Sequence, residues 1–81
     1  MDVKDVAEKS PEKLQGLLRR IRTDAGVTQA ELADRLGVPQ SFVSKYESGE
    51  RRLDILELKD VCQALGSSLV DFVRRLEKEI S

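Results

Sequence analysis

The stretch TQAELADRLGVPQSFVSKYESGERR, from Thr28 to Arg52, has the punctuation of two short helices. Thr28 followed three residues later by Glu31 has the form of a capping box, and Gly37 and Gly49 stand where helices stop in the left-handed conformation. Leu32, Ala33 and Leu36 make one inner face, Val43 and Tyr46 the next. Four basic residues (Arg35, Lys45, Arg51, Arg52) are matched by four acidic ones (Glu31, Asp34, Glu47, Glu50), so the segment is neutral.

The same punctuation continues outward in both directions. In SPEKLQGLLRRIRTDAG, Leu14, Leu17, Leu18 and Ile21 recur at i, i+3, i+4 and i+7. Ser10 is placed to cap this helix, Pro11 fits its first position and Gly26 its end. Asp54 with Glu57 opens a fourth helix, whose Leu58, Val61, Cys62 and Leu65 lead to Gly66. Ser68 with Asp71 opens a fifth, striped by Leu69, Phe72, Val73, Leu76 and Ile80. No run alternates apolar and polar residues as a half-buried strand does. The pattern predicts an all-α fold, a compact five-helix bundle, with residues 1–9 a flexible polar leader and 10–81 a single domain.

Composition bounds the rest. A chain of 81 residues buries only about 60% of its unfolded surface. One cysteine, Cys62, excludes an internal disulfide, and its inward position reads as core. With no histidine, no metal-ligand cluster and no glycine-rich phosphate loop, the sequence offers neither a catalytic residue nor a site for a metal or cofactor. The start MDVKDVAEKS has no signal-peptide character, and no apolar run spans a membrane; a reduced, cytoplasmic protein is expected. Net charge is −1, yet residues 13–27 carry a net +3 from Lys13, Arg19, Arg20, Arg22 and Asp24.

Two helices joined by a three- or four-residue turn cross steeply, which demands a small residue on the first helix and a glycine in the turn. Counting from Gln29, Ala33 is fifth and Gly37 ninth, while Leu32, Leu36, Val38, Val43 and Tyr46 occupy the apolar corners. Through TQAELADRLGV and SKYESG the chain resembles the phage repressor and Cro family of helix-turn-helix domains, also called the XRE family. The resemblance covers about residues 12–76.

That resemblance implies a transcriptional regulator of the repressor or controller type that binds double-stranded DNA; because one recognition helix reads only a few base pairs, a dimer on a palindromic operator is expected. It puts Gln29 on a phosphate at the amino end of the second helix. Gln40, Ser41, Ser44 and Lys45 face the major groove, where glutamine pairs with adenine and lysine donates to guanine. Ser48, Arg51 and Arg52 lie beside the phosphates, Arg52 being the stronger candidate. It also pairs Glu47 with Arg22 as an internal ion pair. Pro39 departs from the family, which often has Ser or Thr there; proline pre-sets φ but supplies no side-chain cap and removes one base contact. Phe42, next to the groove-facing positions, either touches a thymine methyl or packs over the following loop, the latter being favoured. Val70, Val73 and Ile80 offer more apolar surface than one small core absorbs, so the last helix is the expected dimer surface. The competing function on the same fold is a protein-interaction module of the antitoxin or bridging-coactivator type. No small-molecule ligand is indicated.

Overall fold

The computed structural model describes the backbone of residues 3–80 and the side chains of residues 13–80. Five helices follow one another: α1 (Val3–Asp24), α2 (Gln29–Leu36), α3 (Gln40–Ser48), α4 (Ile55–Ala64) and α5 (Leu69–Ile80). No strand occurs among the described residues. The core gathers Leu17, Leu18 and Ile21 from α1, Leu32 and Ala33 from α2, and Val43 and Tyr46 from α3. Leu58, Val61 and Cys62 of α4 and Phe72 of α5 close it from the other side. Tyr46 and Phe72 are its largest fully buried side chains. In a core this small, burying a side chain such as Phe72 contributes about 1.5–3 kcal/mol.

The first helix begins earlier than the Ser10–Pro11 boundary expected from the sequence. It runs back to Val3, so residues 3–9 are helical. Ala7, Glu8 and Lys9 favour helix, and the fixed φ of Pro11 is compatible with one, although the proline costs α1 the hydrogen bond that its N–H would have made. Residues 1 and 2, and any capping by the Ser10 side chain, lie outside what is described.

Local chemistry sets the other boundaries. The Thr28 hydroxyl accepts the Glu31 N–H at 3.1 Å, opening α2. Glu31 does not return the bond to the Thr28 backbone; its carboxylate accepts the Thr28 hydroxyl instead, at 3.1 Å. The full capping box occurs at α4, where Asp54 accepts from the Glu57 N–H at 2.7 Å and Glu57 accepts from the Asp54 N–H at 3.0 Å. At α5 the Ser68 hydroxyl accepts the Asp71 N–H at 3.1 Å. Pro39, extended at the start of α3, makes no side-chain cap.

The turn between α2 and α3 depends on Gly37, at φ +70°. Its N–H donates to the Asp34 carbonyl and that of Val38 to the Ala33 carbonyl, closing α2 in a Schellman arrangement. Ala33, only 3% exposed, is small enough for α3 to cross close above it.

Candidate nucleic-acid interface

The inward side of α3 is fixed by Val43 and Tyr46, both essentially inaccessible. The opposite side carries Gln40, Ser41 and Lys45, all exposed, with Ser44 half-buried between them. The Ser44 hydroxyl donates to the Ser41 carbonyl at 3.3 Å, and that of Ser48 to the Lys45 carbonyl at 3.1 Å. These local bonds hold the serines close to the helix and keep its outer surface slim. The start of α3 has no side-chain acceptor over its free N–H groups. Such an end favours an anion.

Glu47 points the other way. Its carboxylate accepts Arg22 Nε at 2.7 Å and Arg22 Nη2 at 3.0 Å, a two-pronged ion pair between α3 and α1. The two side chains are 4% and 9% exposed, respectively. Arg22 Nη1 donates to the Val27 carbonyl at 2.8 Å, which ties the α1–α2 connection into the same cluster. The bond to Glu47 holds the Arg22 guanidinium above its usual range, against the opposing effect of burial. Arg22 therefore adds no charge to the protein surface, although its segment is net positive in sequence.

Gln29 joins this cluster, its side-chain amide donating to Glu47 Oε1 at 3.0 Å. An amide has two N–H donors, so one remains for an outside acceptor. The structure thus brings Gln29, Arg22 and Glu47 together at the point where α2 begins.

Arg51, expected beside the phosphates, has its guanidinium engaged within the protein. Nη2 donates to Glu57 at 2.7 Å, and Cζ lies 4.4 Å from the centre of the Phe42 ring. Phe42 in turn meets Tyr46 edge-on, with ring centres 5.9 Å apart. Phe42 packs over the following loop, as its position beside the reading face suggested. Arg52, its neighbour, is exposed. Glu57 was legible only as a capping residue; nothing in the spacing shows that its second oxygen takes Arg51.

On α5, Val70 is 60% exposed, Val73 37% and Ile80 41%. Ile55 and Leu56, at 62% and 68%, add exposed apolar surface at the start of α4. Reading α4 for its inward stripe passed over both. Among the described residues no group of His, Cys, Asp and Glu gathers as metal ligands, and no helix is long and apolar enough to cross a membrane.

An α2–α3 pair with a buried inner face and a polar outer one is the arrangement that a family model, described as helix-turn-helix, matches over residues 18–72. The chain belongs to the XRE helix-turn-helix family. This is a family of transcriptional regulators. An uncharacterised HTH-type transcriptional regulator of Sinorhizobium fredii, y4dJ, is 39% identical over 54 residues, which is 67% of this chain and 70% of that one. The structure of an XRE-family-like protein from Pseudomonas syringae pv. tomato superposes with a TM-score of 0.89 at 44% identity, covering 96% of this chain and 95% of that one. The restriction-modification controller protein C.Esp1396I gives 0.82 at 30% identity, covering 89% and 92%. The clp gene regulator ClgR from Corynebacterium glutamicum gives 0.77 at 33%, also covering 89% and 92%.

Proposed function

We propose that this XRE-family chain is a sequence-specific DNA-binding regulator that acts as a dimer on a palindromic operator. The observation that carries the reading is the two-sided character of α3. Val43, Tyr46 and Glu47 anchor one side, while Gln40, Ser41, Ser44 and Lys45 form a slim polar surface on the other. Gln40 and Lys45 are the strongest candidates for reading base edges, with the two serines adapting to either base. Gln29, Ser48 and Arg52 surround that surface as candidate phosphate contacts. Its relatives include a restriction-modification controller and a clp gene regulator, which supports a regulatory role for this chain.

One recognition helix reads only a few base pairs. Two copies related by a twofold axis would place their α3 helices about 34 Å apart on successive turns of one face of the duplex. The exposed Val70, Val73 and Ile80 supply an apolar face on α5 for that pairing.

The reading is tested by selecting duplexes from a random pool and measuring affinity against salt. A negative slope of log K on log salt, with an inverted repeat among the selected sequences, supports it. A folded protein with no affinity for duplex DNA at about 50 mM salt would instead favour a protein-interaction module on the same fold.

A further inference from the structure

The loop between α3 and α4 carries two adjacent arginines with opposite fates. Arg52 is exposed. Arg51 is fastened at both ends: its backbone N–H donates to the Lys45 carbonyl at 3.1 Å, and its Nη2 donates to Glu57 at 2.7 Å. Between those ends its guanidinium covers the Phe42 ring. Nη1 is fully buried and has no partner, so no phosphate reaches that nitrogen without the loop opening, while the side chain as a whole is 39% exposed. Glu57 is held in turn, because its other oxygen accepts the Asp54 N–H at the start of α4. A continuous series of contacts runs from the carboxyl end of α3, through Arg51, to the amino end of α4.

We infer that Arg51 is a positioning residue and not a phosphate contact: clamped between Phe42 and Glu57, it holds residues 49–53 so that Arg52 and the end of α3 meet DNA together. The inference rests on the DNA-binding reading above and adds to it. Lysine does not replace arginine here, because the flat guanidinium both stacks on the ring and donates sideways to the carboxylate. Phosphate contact and clamp make opposite forecasts for Glu57. If Arg51 reaches DNA, Glu57 competes for it, and weakening Glu57 improves binding. If Arg51 is a strut, weakening Glu57 harms binding.

The experiment uses the full chain and five variants: Arg51→Met, Arg51→Lys, Arg52→Met, Glu57→Gln and the double variant Arg51→Met with Glu57→Gln. Glutamine at position 57 still serves the α4 cap while losing the charge that binds Arg51. Affinity is measured on mixed-sequence duplex and on a duplex selected by the unaltered protein, where all proteins are folded. On mixed duplex, Arg52→Met is expected to flatten the salt slope by about 0.9, the value for one phosphate contact, and Arg51→Met to leave it unchanged. On the selected duplex, Arg51→Met, Arg51→Lys and Glu57→Gln should each lose about tenfold, and Arg51→Met with Glu57→Gln no more than either alone. Without DNA, backbone relaxation of residues 50–53 should show greater mobility in Arg51→Met and Glu57→Gln but not in Arg52→Met. A flattened slope for Arg51→Met, tighter binding by Glu57→Gln, or an unchanged loop in both overturns the clamp. Absence of DNA binding by the unaltered chain overturns the DNA reading instead, and the relaxation measurement still decides whether Arg51 is a strut.

Discussion

Arg22 and Glu47, 25 residues apart in sequence, meet through two hydrogen bonds of 2.7 and 3.0 Å in a setting almost closed to water. The pair joins the helix that opens the core to the helix that presents the polar surface. Removing one partner leaves the other charged and buried with only a neutral neighbour, the Val27 carbonyl for Arg22 or the Gln29 amide for Glu47. Glu47→Ala is therefore expected to lose about 3–5 kcal/mol of stability, read by urea titration. Arg22→Met combined with Glu47→Leu should lose much less than the two single changes added together. An unchanged urea midpoint in Glu47→Ala would show that the pair contributes nothing to the fold.

High pH should unfold the protein through groups that burial keeps neutral. Burial pushes the Cys62 thiol from 9.0 up to about 11 and raises the Tyr46 phenol well above 10.0. Well below pH 9 both groups are protonated whether the chain is folded or not, so they favour neither state. As pH rises further, the unfolded chain releases these protons first, and stability falls by about 1.4 kcal/mol per pH unit for each group titrating. Cys62→Ala should make that fall shallower between pH 9 and 11. If the variant tracks the unaltered protein throughout, the thiol has no part in it.

Gly37→Ala tests the turn itself. At φ +70° a side chain is strained even though space for a Cβ is open. The expected cost is about 1–2 kcal/mol, with no change in the dependence of ΔG on urea. A smaller loss would mean that the turn relaxes to another conformation.

Lys45→Ala and Gln40→Ala touch nothing in the core, so their melting temperatures should stay close to the parent's. On the selected duplex each should cost about 1–3 kcal/mol and relax the preference at one base position. Uniform weakening across all sequences would move the residue concerned from base to backbone.

Val70→Asp probes the proposed pairing face. Val70 is 60% exposed, so a carboxylate there meets water in the monomer and another apolar face in the dimer. Sedimentation should show a folded monomer with weaker operator binding. A dimer of unchanged affinity would move attention to Ile55 and Leu56.

Much of this was legible from residue spacing because the helices end at glycines and carry apolar stripes, both local signals. Gly37, Ala33 and Tyr46 announce the α2–α3 crossing since only a few residue types fit there. What was not legible depends on side chains that reach beyond their own helix. Arg35 Nη1, for example, donates to the Ala64 carbonyl at 2.9 Å, joining the end of α2 to the end of α4. Arg51 sits beside Arg52 with the same chemistry, and only the position of Glu57 distinguishes their roles. The start of α1 was misplaced for the opposite reason: Ser10 and Pro11 form a plausible boundary, but the preceding residues favour helix as well. Exposed Ile55 and Leu56 resemble any other apolar pair until the direction of α4 is known.

The residues that hold α3 and the residues it displays do not overlap. Val43, Tyr46 and Glu47 bind it to the bundle, while the side chains of Gln40, Ser41 and Lys45 are exposed and outside the core. Under the proposed function, drift in the outer set changes the sequence read without a folding penalty, so a duplicated copy acquires a new target in single viable steps. The same separation makes the protein a practical chassis for grafting other recognition surfaces, provided that each graft leaves Glu47 in place.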